Sequence, residues 1–258
     1  MIKWRIISDE YHNIDNVLKF HRTTMHHKAN ISVNHIVPVL DNLIETDSKN
    51  KGYGVNLSNG KKLEEDDSFL KILKSRRTGW EFKQEMSVEQ LSDVLQSSFG
   101  VNCSRQFGEY SVDLRAYASA GALYSVEPYV YINNVDKKLD NRIWKYDAKD
   151  HSLIFVADSD IDSINSLTST TKFRIKGFDN AKIVVFYVAN FDLIFKKYGM
   201  LAYRLVLLEA GHMCHNLQLV STKFNYSSVP IGGFYDLDVS KSLKLDKGQI
   251  CVYMAAVG

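Results

Sequence analysis

Hydrophobic and polar positions along this chain follow two different periods, and the changes of period mark its elements. Helical spacing over residues 13–21 predicts a short first helix, and residues 31–44 carry apolar side chains at mixed spacing. Residues 47–59, rich in Ser, Asn, Lys and Gly, predict a loop or weakly ordered linker. The boundary between an N-terminal extension, residues 1–65, and a main domain, residues 66–258, is expected there. Phe69, Leu70, Ile72 and Leu73 then predict an amphipathic helix that stops at Ser75-Arg76-Arg77-Thr78-Gly79. Ser87, three residues before Gln90, opens the next helix as a capping box, with Leu91, Val94 and Leu95 on one face and an end near Gly100.

The β-branched and aromatic run Tyr129-Val130-Tyr131-Ile132-Asn133 predicts a strand, and residues 144–147 with 152–156 predict a hairpin. The mostly apolar run 181–189 reads as a central strand covered on both faces. The longest helix should span 201–223, where Leu201, Leu205, Leu208, His212, His215 and Leu219 recur at three- and four-residue spacing. Its other faces are also largely apolar, so it should be buried centrally or at a subunit interface. Residues 249–257 form the last strand. Helices and strands do not alternate strictly, which predicts the α+β class, with a mixed or antiparallel central sheet flanked by helices.

Composition narrows the class. A chain of 258 residues fits one large domain with an extension better than two full-sized domains. Hydrophobic residues at 45% and charged residues at 24% exclude a wholly disordered or coiled-coil chain. Thirty-two basic against thirty acidic residues give +2, no general electrostatic reason to bind nucleic acid or a membrane surface. No apolar run approaches the roughly 20 residues that span a bilayer, and Met1-Ile2-Lys3-Trp4-Arg5 soon meets Asp9 and Glu10 without a signal-peptide pattern; a cytoplasmic location is expected. Cys103, Cys214 and Cys251 lack any CxxC pairing and read as reduced thiols, the last two as core packing. His21, His26, His27 and His35 are irregularly spaced with no carboxylate or thiol cluster, so no metal is expected.

Three segments could carry chemistry. Ser75-Arg76-Arg77-Thr78 offers adjacent guanidinium groups and hydroxyls at a helix end, a compact donor set for a phosphate or simply a solvated helix end. Ser119-Ala120-Gly121-Ala122-Leu123-Tyr124 packs small residues where a planar ligand could approach the backbone, or where a helix starts tightly against a sheet. Pro230-Ile231-Gly232-Gly233-Phe234 supplies unusual dihedrals and exposed amides, or a plain turn.

In this order, the segments resemble the nitroreductase-like flavoproteins, and within them the SagB-type azoline dehydrogenases that act on ribosomally made peptides. Ser75-Arg76-Arg77-Thr78 is similar to the family's RRS element, Ser119-Ala120-Gly121-Ala122-Leu123-Tyr124 to its PSAGALYP, and Pro230-Ile231-Gly232-Gly233-Phe234 to PVGGF. Tyr203-Arg204-Leu205-Val206-Leu207-Leu208-Glu209-Ala210-Gly211-His212, continued by Asn216-Leu217, resembles its YRxxLLEAGHxxxNL helix, and Phe20-His21-Arg22-Thr23-Thr24 its HxxT element. Ala118 and Ser125 replace both prolines of PSAGALYP, and Gly79-Trp80 stand where relatives often have a basic residue.

The resemblance implies a nitroreductase-like fold and a homodimer, with one FMN per protomer near an interface that the long helix helps to build. It assigns FMN contacts to Arg76, Arg77 and Thr78, with Arg76 and Thr78 on the phosphate and ribityl chain. It assigns others to Ser119, Ala120, Gly121, Ala122 and Leu123, with Ser119 and Gly121 along the flavin. Pro230, Ile231, Gly232 and Gly233 complete the set, and N–H groups of the two glycines near N5 and O4 would stabilise the charge of a reduced flavin. Lys197-Tyr198 matches the family's catalytic pair, which would remove a ring proton as hydride leaves; without the family it reads as an exposed helix start. Tyr124 is an alternative base, and His212 and Asn216 are expected to be structural or at the interface.

The implied activity is oxidation of thiazoline or oxazoline rings of a precursor peptide to thiazole or oxazole, alone or with a cyclodehydratase complex. Two alternatives stay open. One is an NAD(P)H-dependent FMN reductase of nitro, quinone or dehydroamino-acid substrates; the other is a non-catalytic flavin-binding subunit of a peptide-modifying complex.

Overall fold

The computed structural model describes residues 14–25, 68–169 and 177–258. The expectations for 31–44, the linker 47–59, the boundary near 65, and His26, His27 and His35 lie outside the described residues. In chain order the described elements are α1 (Ile14–Thr24), α2 (Ser68–Ser75), α3 (Val88–Phe99), β1 (Val101–Phe107), β2 (Tyr110–Arg115), β3 (Val126–Ile132), β4 (Arg142–Asp147) and β5 (Ser152–Asp158). There follow α4 (Ile161–Ser166), β6 (Ile183–Asn190), α5 (Phe191–Tyr198), α6 (Leu201–Lys223), β7 (Ser228–Ile231), α7 (Asp236–Ser242) and β8 (Gln249–Val257).

Six strands form one sheet in the order β5-β4-β3-β6-β8-β7, with every neighbouring pair antiparallel. The class is α+β, and of the two sheet types expected the antiparallel one is found. β6 lies in the middle, paired from Ile183↔Ile132 to Ala189↔Val126 on one side and from Ile183↔Val257 on the other. Its side chains alternate between two cores. Ile183, Val185, Tyr187 and Ala189 join the layer built by α3 and α6, whereas Val184, Phe186 and Val188 face Ile164 of α4 and Val239 of α7. Helices cover both faces, which is why an antiparallel strand here reads as a nearly unbroken apolar run. Val17 of α1 is 1% exposed within the first layer, so this helix of the N-terminal segment is part of the core.

The outer elements depart most from expectation. β1 and β2 form a separate antiparallel hairpin whose largely polar, exposed residues carried no strand signal. Pro230-Ile231 ends β7 rather than lying in a loop; β7 is an edge strand of the six-stranded sheet, its ladder partner being β8, and at such an edge a residue without an N–H is tolerated. The stripe that spacing singles out on α6 faces outward: Leu201 and Leu208 are 41% and 54% exposed, and His212 and His215 are exposed too. The buried face instead carries Ala202, Val206, Ala210, Met213 and Leu217, whose smaller members let the helix approach the sheet closely. No helix among the described residues is long and apolar enough to cross a membrane.

The capping box at α3 gives a direct test of local reasoning. Ser87 Oγ accepts the Gln90 N–H at 3.2 Å, and Gln90 Oε1 accepts the Ser87 N–H at 2.9 Å. Ser87→Ala should destabilise the fold by about 1 kcal/mol, read as a lower urea midpoint at unchanged slope. An unchanged midpoint would mean that water replaces the cap at no cost.

Candidate functional site

After β2 the chain turns sharply before entering β3. Gly121, Ala122 and Tyr124 all have left-handed backbones, with φ of 61°, 52° and 48°. Glycine adopts this freely, but Ala122 and Tyr124 do so at a cost of order 1–3 kcal/mol each, so neighbouring contacts must hold the turn. Ser119 Oγ accepts the Tyr124 N–H at 2.8 Å and donates to Glu209 Oε2 at 2.7 Å. Glu209 Oε1 accepts the Val126 N–H at 3.0 Å. His212 Nδ1 donates to the Ala118 carbonyl at 3.0 Å, which fixes its tautomer because a carbonyl can only accept. From the other side, the Arg115 N–H donates to the Tyr124 hydroxyl at 2.9 Å, and the Arg115 guanidinium lies 4.6 Å from the centre of the Tyr124 ring.

The turn thrusts Gly121 against the end of α5. A Cβ added to Gly121 would collide with Lys197 Nζ and lie 2.7 Å from the Tyr198 hydroxyl. Lys197 is exposed and Tyr198 half-buried, with the Lys197 ammonium 5.3 Å from the Tyr198 ring centre. These two residues close the last turn of a helix capped by Gly199, rather than starting one. Residues 119–123 and Lys197-Tyr198, far apart in sequence, thus form one group. Within it Ser119 has its hydroxyl turned inward onto Glu209 and the backbone. On α6, His212 anchors the turn, and the buried amide nitrogen of Asn216 has no hydrogen-bond partner among the described residues.

A second group assembles around β7. Thr78 forms a parallel bridge to Ser228 at the head of the strand, and the Gly79 N–H donates to the Ser228 carbonyl at 3.1 Å. Arg77 is committed locally, donating from Nη1 to the Lys74 and Arg76 carbonyls at 2.8 Å each, which satisfies the end of α2. The Arg76 side chain is half-buried and has no carboxylate within ion-pair distance among the described residues. At the tail of β7, Gly232 is exposed with open space where a Cβ would stand. Gly233 is packed instead: a Cβ there would strike Ser169 Oγ, and its carbonyl accepts from the Ser169 N–H and hydroxyl at 2.9 and 3.0 Å.

Gly232 lines a pocket of about 200 Å³ with His21, Tyr203, Leu207, Phe234 and Asp236. His21 is buried, its Nδ1 3.3 Å from the Tyr203 hydroxyl and its Nε2 3.6 Å from Asp236 Oδ1. Burial lowers the His21 pKa, outweighing the attraction of Asp236. A larger open cleft of about 730 Å³ lies among Asp140, Arg142, Asp158 and Asp160 and holds none of these segments. Its charges are already engaged: Arg142 pairs with Asp158, Asp140 accepts backbone N–H groups, and Asp160 caps α4.

The two groups attach to opposite sides of α6. The first is held by Glu209 and His212, the second is flanked by Tyr203 and Leu207, and at about 100° per residue these pairs point roughly half a turn apart. Between them the helix shows solvent Leu201, Arg204, Leu208, Gly211 and His215. Among the described residues no hydrogen bond, ion pair or ring contact joins the two groups. One offers a lysine and a phenol at a bare glycine, the other a guanidinium with no carboxylate partner among the described residues and an open glycine edge. Together they suit a flat ligand that carries an anionic tail. Sequence reasoning gave no role to Glu209, Arg115, Tyr203 or Asp236, because each acts through a partner distant in the chain.

The profile of the nitroreductase family matches residues 73–258. A protein of Methanocaldococcus jannaschii named as a candidate nitroreductase is 28% identical over 175 residues, 67% of this chain and 83% of that protein. The microcin B17-processing protein McbC of Escherichia coli is 24% identical over 139 residues, 52% of this chain and 49% of McbC. Among solved structures, a chain of the E. coli microcin synthetase McbBCD complex with truncated pro-MccB17 bound shares the fold, with a TM-score of 0.72 at 18% identity over 98% of this chain and 94% of that one.

The His21 environment makes a prediction about pH. Its folded pKa lies below the ordinary 6.5, so between the two values the unfolded chain binds more protons. The stability that neutral His21 contributes is present above pH 6.5 and is lost as pH falls below it. The thermal midpoint should therefore drop as the pH falls below 6.5, and drop less in His21→Asn. Equal slopes in the two proteins would contradict this.

Proposed function

The chain belongs to the nitroreductase family, a family of oxidoreductases, and on that premise we propose that it is an FMN-dependent dehydrogenase of azoline rings in a precursor peptide. The observation that carries this reading is the meeting of Lys197 and Tyr198 with Gly121 at one point of the surface. A second copy related by a two-fold axis along the exposed stripe of α6 would set the Lys197 group of one protomer against the Arg76 and Gly232 group of the other. Exposed Leu201, Leu207 and Leu208 supply apolar surface for such a homodimer.

The residues present fit FMN. Arg76, with Thr78 beside it, would hold the phosphate, since a guanidinium with no carboxylate partner is a strong phosphate donor. Gly232 would admit the ring system to the backbone because no side chain stands in the way, and the turn at Gly121 would cover it from the partner. FMN bound there supplies a two-electron acceptor, which oxygen restores. Removing the ring proton is the chain's own task, and on this reading Lys197 or Tyr198 would take it. Closure by a second protomer would exclude water from both groups.

The relatives support a substrate class. McbC is named for processing microcin B17, and the shared fold occurs in a synthetase complex with truncated pro-MccB17 bound; both favour a precursor peptide as the substrate of this reading, met alone or with a cyclodehydratase complex.

Incubating the yellow protein with an azoline-containing peptide in air should remove two hydrogens per ring, seen by mass spectrometry. Lys197→Ala and Tyr198→Phe should slow this by about two to four orders of magnitude while the flavin spectrum is kept. A reductase fed by nicotinamide would be nearly indifferent to both changes, and wild-type rates in both variants would remove the pair from the mechanism. Arg76→Ala should weaken FMN binding by about 1.5–3 kcal/mol in a fluorescence titration; unchanged affinity would take Arg76 out of the site.

A further inference from the structure

We infer that Glu209 is a positioning residue of this site, because it clasps both ends of the left-handed turn that sets Gly121 against Lys197 and Tyr198. The inference rests on the dehydrogenase reading and extends it to a group that touches neither substrate nor flavin. Glu209 is 2% exposed, and its two carboxylate oxygens are divided between the ends of the turn. Oε2 takes the Ser119 hydroxyl at 2.7 Å, where the turn begins, and Oε1 takes the Val126 N–H at 3.0 Å, where β3 begins. Ser119 passes the constraint inward by accepting the Tyr124 N–H at 2.8 Å. Every group that meets the carboxylate donates, so an ionised acceptor matches the site and a protonated one would leave a hydrogen without a partner.

Stability alone gives no reason for this choice. Burial raises the Glu209 pKa, and no cation lies within ion-pair distance among the described residues. A raised carboxyl pKa means that the folded chain binds the proton more readily than the unfolded one. The ionised group therefore lowers stability once the pH exceeds the ordinary carboxyl range, and a neutral isostere returns that loss. What the charge secures is the shape of the turn. Ala122 and Tyr124 are held at φ of 52° and 48°, conformations that such residues leave when released. A relaxed turn would move Gly121, where a side chain would displace the Lys197 ammonium.

Glu209→Gln keeps the volume and the Val126 contact but deprives the Ser119 hydroxyl of its acceptor. The expected result is an unchanged or higher thermal midpoint and an unchanged flavin spectrum, together with a turnover number about ten- to a hundred-fold lower at unchanged peptide KM. A merely structural residue would lower the midpoint along with the rate. Ser119→Ala, a half-buried change that leaves the fold's core alone, should reproduce the loss, and the double variant should be no worse than either single one. Wild type and Lys197→Ala are measured beside them. If wild type oxidises azolines, Lys197→Ala is slow, and both Glu209→Gln and Ser119→Ala run at the wild-type rate, the positioning role is overturned while the dehydrogenase reading stands. If wild type oxidises no azoline, that reading falls, and hydrogen exchange over residues 119–126 decides the clasp: faster exchange in Glu209→Gln supports it, and wild-type protection overturns it.

Discussion

A helix of 23 residues laid on one face of a sheet must leave part of its circumference outside, and the placing of chemistry in this chain follows from how α6 meets that constraint. Its buried half includes the small residues Ala202, Ala210 and Ser221, and the helix sits close to β3, β7 and β8. Its flanks then reach the loops at the sheet's ends. Glu209 and His212 fasten the turn before β3 on one flank, whereas Tyr203 and Leu207 line the pocket beside Gly232 on the other. Neither loop has the regular hydrogen bonding that would fix its shape unaided. The remaining outer stripe, with its exposed leucines, lies between the two groups, and in the proposed dimer a second copy would join them.

Much of the scaffold was legible because long, regular signals need no tertiary information. The bounds of α6 and β8 follow from sustained periodicity, β6 from an apolar run with one lysine at its edge, and α3 from a capping box. Elements whose signal is polar or ambiguous were not legible. The β1–β2 hairpin alternates polar residues on a solvated surface, and β7 ends in Pro-Ile followed by two glycines, which reads as a turn until an edge strand is seen to tolerate proline. On α6 the leucines drew attention to the wrong face. Ala202, Glu209, Gln218 and Ser221 lie on the buried side and have little apolar weight, so spacing alone cannot separate the core stripe from an interface stripe.

The candidate residues were nameable from motifs, but their grouping was not. Nothing in spacing brings Lys197 beside Gly121, or His21 beside Gly232. Arg77 and Ser119 show what motifs leave out in another way. Both belong to segments read as cofactor-binding, and the structure adds that Arg77 bonds the carbonyls at the end of α2 and that the Ser119 hydroxyl bonds Glu209. Neither contact could be read from the motifs, because each depends on the folded backbone. Strain at Ala122 and Tyr124 belongs to the same economy, since unfavourable backbone is retained where it aims a group.

The central claim is that one working site draws its phosphate-holding half from one protomer and its proton-removing half from the other. Co-expressed Arg76→Ala and Lys197→Ala chains test it most directly. At an FMN concentration too low to load Arg76→Ala, each homodimer should be nearly inactive toward azoline peptide, while the mixed dimer should regain a substantial part of the wild-type rate, because one of its two sites then combines an intact Arg76 with an intact Lys197 from the opposite chain. A mixed dimer, separated by differential tags and confirmed by mass, that stays as inactive as its parents would show that both halves come from the same protomer and would contradict the account.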